Sequence, residues 1–145
     1  MIIKKRKKPV FIESLHQMAI INYARNKNLH NGHFLIDFLI KIHNEGRKNI
    51  VSASIDKKLG LKAGVSDLFL AIPTKKYSGM WIEVKRKGGR LTKNQHAWFD
   101  KMQLMNYYTC VVYDVHDFDK EVNKYLFCYI ADNRDKSLRK INEHN

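Results

Sequence analysis

The stretch from Gly64 to Gln95, GVSDLFLAIPTKKYSGMWIEVKRKGGRLTKNQ, restricts the fold more than any other part of this chain. Asp67 heads the apolar run Leu68-Phe69-Leu70-Ala71-Ile72, which Pro73 stops because proline has no N–H to give to a ladder. A second run, Met80-Trp81-Ile82-Glu83-Val84-Lys85, closes at Gly88-Gly89. Apolar runs this short, bounded by Pro and Gly, predict two strands joined by a hairpin over 73–79. Side chains alternate along a strand, so Ile82 and Val84 enter one face while Glu83 and Lys85 leave on the other. The bland alternative is a surface ion pair, worth under about 1 kcal/mol, with Asp67 capping a turn. Against it, Glu83 sits inside an apolar strand, where a carboxylate without a use is costly to bury.

The remaining chain supplies an α/β setting for these strands. From about Val10 to Arg25, the residues Ile12, Leu15, Ala19, Ile20 and Tyr23 recur at helical steps. Ser14 and Gln17 have capping-box spacing, which predicts a first turn near Ser14 with Glu13 at its entrance, on the same side as Gln17. Asn31-Gly32 is a turn signal, and Phe34–Ile42 is apolar enough for a buried strand or a short helix; a strand ending near His43 fits the following Asn44-Glu45-Gly46 turn. Ile50–Leu59 reads as a short helix. Thr92 caps a helix to about Asn106 with Trp98, Met102 and Met105 as its apolar stripe. Tyr107–Tyr113, rich in aromatic and β-branched residues, reads as a strand. Asp117–Tyr129 reads as a last helix packing Leu126 and Phe127. The order α β α β β α β α predicts one mixed α/β domain over 10–132, a central mixed sheet flanked by helices. A basic arm at 1–9 precedes it, and a polar tail at 133–145 follows.

Charge decides the class of partner. With 27 Lys+Arg against 14 Asp+Glu, the net charge of +13 favours a polyanion, nucleic acid before an anionic membrane. No apolar run approaches the ~20 residues that span a bilayer. Met1–Lys8, MIIKKRKK, lacks the apolar segment of a signal peptide, which predicts a cytoplasmic protein. Cys110 and Cys128 form no C-x-x-C and lie in apolar runs, as buried free thiols do. His30, His33 and His43 fall close together, but no C-x-x-C precedes them, so zinc or HNH chemistry is not favoured. The Lys4–Lys8 arm is either a solvated terminus or a phosphate contact. Arg86, Lys87 and Arg90, in a glycine-rich loop, and Lys93 are candidates to track a nucleic-acid backbone. Tyr107, Tyr108 and Tyr113 fit core packing better than base stacking.

Hydrolysing a phosphodiester near neutral pH requires a held divalent cation, an activated water and an offset for transition-state charge. Mg²⁺ takes hard oxygen ligands and keeps several waters, so Asp67, Glu83 and the Val84 carbonyl suffice. Lys85 then holds the attacking water or helps to deprotonate it.

Asp67 followed by Glu83-Val84-Lys85 resembles the PD-(D/E)xK nuclease core, and the longer match resembles the virus-type replication-repair nuclease domain, VRR-NUC. That family pairs a first-helix glutamate with a Gly-x-Pro-Asp strand, a Glu-x-Lys strand and a helix opening Leu-(Ser/Thr)-x-x-Gln. This chain carries Glu13, then Gly64-Val65-Ser66-Asp67, then Glu83-Val84-Lys85, then Leu91-Thr92-Lys93-Asn94-Gln95. The family's proline is Ser66 here, a residue that stiffens a turn and touches no metal. The resemblance implies a restriction-endonuclease-like fold, Mg²⁺ or Mn²⁺ dependence and endonuclease action on branched DNA by a homodimer. It also implies site roles for Glu13 and Gln95. Glu13 fits compensation of a helix dipole equally well, and Thr92-x-x-Gln95 is itself a capping box. The rival reading is a non-catalytic basic nucleic-acid-binding protein.

Overall fold

The computed structural model describes residues 9–29, 32–43 and 58–127. Helix α1, Pro9–Asn26, begins at a proline, whose fixed φ and missing N–H suit the first helical position. It therefore starts a turn or more before the expected Ser14 cap, and Glu13 lies within the helix and not at its entrance. The apolar 34–42 run splits in two. Asp37 Oδ2 accepts a hydrogen bond from Phe34 N at 2.9 Å, which curls Leu35–Phe38 into a 3₁₀ turn. Only Leu39–Lys41 remains extended, as β1. The helix expected over Ile50–Leu59 falls almost wholly outside the described residues, as do His30, Cys128, the basic arm to residue 8 and the polar tail.

Strands β2 (Leu68–Leu70) and β3 (Met80–Val84) form the expected antiparallel hairpin, with Leu68 facing Ile82 and Leu70 facing Met80. β1 adds antiparallel to β2, and β4 (Tyr108–Val112) adds parallel to β3, giving the order β1-β2-β3-β4. A parallel neighbour needs a crossover, and α2 (Lys93–Leu104) supplies it. Asn106, at φ 59°, ends α2 in the left-handed conformation that asparagine tolerates at helix C-termini. Residues 115–127 form α3, two residues earlier than expected. Asp114 Oδ1 accepts from Asp117 N and Asp117 Oδ2 from Tyr113 N, a reciprocal cap that fixes the start.

Strand alternation divides the layers. Leu68, Leu70, Met80, Ile82, Val84, Cys110 and Val112 form one buried cluster with Ile20 and Ala24 of α1 and Phe118, Val122 and Tyr125 of α3. On the opposite face Phe69, Trp81 and Tyr107 gather, with Trp98 of α2 edge-on to Trp81 at 5.1 Å. Tyr108 packs on Tyr77 and Tyr125, as expected for a core aromatic. Two packing expectations fail. Phe99, not Met105, is the buried anchor of α2, and Phe127 is 72% exposed while Leu126 is buried. Among the described residues, no helix is long and apolar enough to cross a membrane.

Candidate active site

Asp67 and Glu83 meet through the β2–β3 register. One step beyond the Leu68–Ile82 pair, Asp67 draws level with Glu83, and opposed residues of an antiparallel pair share a face. Asp67 Oδ2 accepts a hydrogen bond from Val84 N at 2.9 Å, so the aspartate is pinned to the backbone of the neighbouring strand. Glu83 is only 2% exposed because α2 covers the face that strand alternation alone would leave to solvent. Two partners stabilise this buried carboxylate. Lys85 Nζ lies 2.9 Å from its Oε1, and Gln95 Nε2 donates to the same oxygen at 2.5 Å. A charge taken out of water to this degree is tolerated only when paired and hydrogen-bonded.

Gln95 forms the cap that its spacing predicts and also reaches Glu83. Its Oε1 accepts from Thr92 N at 2.8 Å and its backbone N donates to Thr92 Oγ1 at 3.3 Å, completing the capping box. Its amide nitrogen holds Glu83. One side chain thus ties the first turn of α2 to the middle of the sheet. Gly64 sets the spacing of that turn. At φ +85°, a Cβ on Gly64 would lie 2.4 Å from the Asn94 carbonyl carbon and oxygen, so the loop leading to Asp67 presses against α2.

The acids open into a cleft of about 350 Å³ lined by Asp67, Glu83, Val84 and Lys85, with Glu13 on its α1 wall. Glu13 Oε1 accepts from Arg86 N at 3.4 Å, which brings the α1 glutamate to the exit of β3. Burial disfavours the Lys85 charge. Its hydrogen bond to Glu83 and the charges of Glu83, Glu13 and Asp67 outweigh that penalty and hold its pKa above the usual lysine value. Lys85 is therefore an ammonium at neutral pH. Arg86, Lys87, Arg90 and Lys93 are exposed and lie outside the cleft lining. A turn closed by Gly89 N to Arg86 O at 2.8 Å carries Arg86 and Lys87, Arg90 follows it, and the start of α2 carries Lys93. Among the described residues no three His, Cys, Asp or Glu side chains gather as a ready metal cage.

Ser14, Gln17, Lys41, Ile42 and His43 also line the cleft, and the sequence does not single them out as site residues. Ser14 and Gln17 share a helix with Glu13, a signal that was present. Lys41 to His43 arrive only through the sheet, where Ile42 N donates to Asp67 O at 2.9 Å.

The VRR-NUC domain family model matches residues 7–117, a span that contains every acid of the cleft. The chain belongs to the VRR-NUC family. A solved structure described as a VRR-NUC domain protein superposes with a TM-score of 0.70 at 21% identity, covering 80% of this chain and 88% of its own. At that identity the likeness establishes the fold: a VRR-NUC, restriction-endonuclease-like α/β domain. No curated protein matches the chain. VRR-NUC is a nuclease-type family, and in this VRR-NUC domain Asp67, Glu83 and Lys85 line one cleft while Gln95 holds Glu83 from behind it.

Proposed function

We propose that this VRR-NUC domain is a metal-dependent endonuclease that hydrolyses DNA phosphodiesters, selectively in branched DNA such as flaps and four-way junctions. The observation that carries the reading is the meeting of Asp67 and Glu83 across β2–β3 with the Lys85 ammonium 2.9 Å from Glu83 Oε1. The donor set suits Mg²⁺ or Mn²⁺, because two carboxylates and the Val84 carbonyl offer hard oxygens to a cation that keeps much of its water shell. Such an ion supplies Lewis-acid polarisation of the phosphoryl oxygen and a more acidic water. Lys85, held as an ammonium, orients the attacking water and offsets charge building on the phosphoryl oxygens. Gln95 fixes the Glu83 rotamer, and Glu13 stands at the cleft wall toward the incoming strand. Water attacks phosphorus and the P–O ester bond breaks, with no covalent enzyme intermediate. The exposed Arg86, Lys87, Arg90 and Lys93 neutralise backbone phosphates, so binding weakens with salt. A four-way junction offers two scissile positions to a chain with one cleft, so that substrate implies a homodimer.

The test is cleavage of linear, flap and four-way-junction DNA with Mg²⁺, Mn²⁺ or EDTA, by the native protein and by Glu83→Gln. Cleavage abolished by chelation and by the substitution supports the reading. Cleavage indifferent to both overturns it, and salt-sensitive binding without cleavage makes this a nucleic-acid-binding domain.

A further inference from the structure

A second depression, of about 380 Å³, runs along the outer face of α1. It shares Ser14, Gln17 and Lys41 with the cleft that holds Asp67, Glu83 and Lys85, so the two adjoin. Lys41 stands at the junction and Arg25 at the far end. Ser14 and Arg25 are three turns apart on α1, on the order of 16 Å at 1.5 Å per residue, longer than a single phosphate.

The chemistry of this groove is specific. Both cations are steered by neutral amides: Lys41 Nζ donates to Gln17 Oε1 at 2.5 Å, and Arg25 Nη1 to Asn22 Oδ1 at 3.3 Å. Neither is paired with a carboxylate among the described residues, and no carboxylate lines the groove. Among the described residues amides orient these charges, and carboxylates (Glu13, Asp67 and Glu83) face Lys41 only from the adjoining cleft. Between them lies an apolar wall of Ile21 and Met18, the latter 66% exposed. Two cations flanking an apolar surface match a ligand with anionic ends and a flat, hydrophobic middle. A nucleotide has that form, and methionine sulfur packs well against aromatic rings. In a duplex both faces of a base are covered by its stacked neighbours, so only an unpaired base reaches such a wall.

We propose that the α1 groove binds unpaired nucleotides flanking the scissile phosphate, with phosphates on Lys41 and Arg25 and a base against Met18 and Ile21. The inference deepens, and rests on, the nuclease reading of the adjoining cleft. Of the two branched substrates in that reading it selects the flap, whose unpaired arm begins next to the cleaved bond, over the fully paired four-way junction.

The experiment measures fluorescence-anisotropy binding in EDTA, with blunt duplex and with the same duplex carrying a 5′ or a 3′ single-stranded arm. Native protein, Met18→Ala, Arg25→Gln and Arg25→Lys are compared after their melting temperatures confirm folding. The native protein is expected to prefer one armed duplex over the blunt one. Met18→Ala and Arg25→Gln each lower that preference about fivefold or more, and Arg25→Gln reduces the salt slope on the armed DNA by about 0.7 to 1. Arg25→Lys restores most of the slope. Equal affinity of the native protein for armed and blunt DNA, or variants that keep the native preference, overturns the inference. Cleavage of the same DNAs, with and without Glu83→Gln, separates the two readings. Glu83-dependent cleavage with indifferent groove variants removes the groove and leaves the nuclease. A groove-dependent preference for armed DNA without Glu83-dependent cleavage leaves an unpaired-strand binding site and removes the nuclease.

Discussion

Gly64→Ala tests how the site is held together. Gly64 sits at φ +85°, where an L-residue pays about 1–2 kcal/mol. Gly88 sits at φ +80° and would pay the same backbone penalty, but nothing lies within 4 Å of its added Cβ. The two differ in what the methyl meets. At Gly64 it lands 2.4 Å from the carbonyl carbon and oxygen of Asn94, and backbone cannot swing aside as a side chain can. Relief demands that the first turn of α2 retreat by about 1 Å, enough to forfeit much of a close contact. That turn carries Gln95, whose 2.5 Å hydrogen bond to Glu83 Oε1 is lost with the movement. A hydrogen bond to a charged group contributes about 1.5–3 kcal/mol. Gly88→Ala should then lower the melting temperature by about 3–6 °C and Gly64→Ala by roughly 8–15 °C, at about 2–4 °C per kcal/mol for a domain this size. Circular dichroism melts of both variants give the comparison. Adding Gln95→Ala to Gly64→Ala should cost less than Gln95→Ala alone, because the shared bond is already gone. Equal melting temperatures for Gly64→Ala and Gly88→Ala, or fully additive double-variant losses, would refute the coupling of loop, helix and acid.

The cap and the site can be separated at the start of α2. Thr92→Ala removes an N-cap and should cost about 1 kcal/mol with cleavage little changed. Gln95→Ala should cost more, about 1.5–3 kcal/mol, because its bond to Glu83 goes with the cap, and, unlike Thr92→Ala, at least about tenfold in turnover; urea melts and single-turnover assays read the two. Lys85→Ala should slow cleavage by roughly two to four decades. Because the folded Lys85 pKa lies above its ordinary 10.5, the stability its pairing contributes is fully present below that pH and lost as pH rises through the folded value. The native-minus-Lys85→Met stability difference should thus be flat from neutral pH to about 10 and shrink above it. Asp119 behaves in the opposite sense. The Tyr23 hydroxyl holds its carboxyl below the ordinary 3.8, so its contribution is present above that pH and disappears as pH falls through the folded value. Asp119→Asn should flatten the acid limb of a stability–pH curve, read by urea denaturation below pH 4.

Much of this was legible because it is local. Proline and glycine bound the β2–β3 hairpin, β-branched and aromatic residues mark β4, and Thr92-x-x-Gln95 announces a cap that forms as written. Misreadings arose where a local pattern was settled by a distant contact or by one side chain. The Asp37 carboxylate reaching back to Phe34 N converts half of an apolar run into a 3₁₀ turn, which periodicity does not register. Met105 fits a helical stripe, yet α2 stops at Leu104 and leaves it facing solvent, and Phe127 fits one too but is likewise exposed. Lys41 and His43 enter the cleft only because β1 pairs with β2, a register that no nearby residue encodes.

The order of residues by itself determined the acids, their alternation with apolar neighbours and the basic surface, because strand periodicity and charge are properties of neighbours along the chain. Only the tertiary structure decided that α2 would bury Glu83, that Gln95 would both cap a helix and hold that acid, and that α1 would wall the cleft. Those outcomes depend on packing between segments far apart in sequence, where a single close approach such as Gly64 against Asn94 fixes the distance.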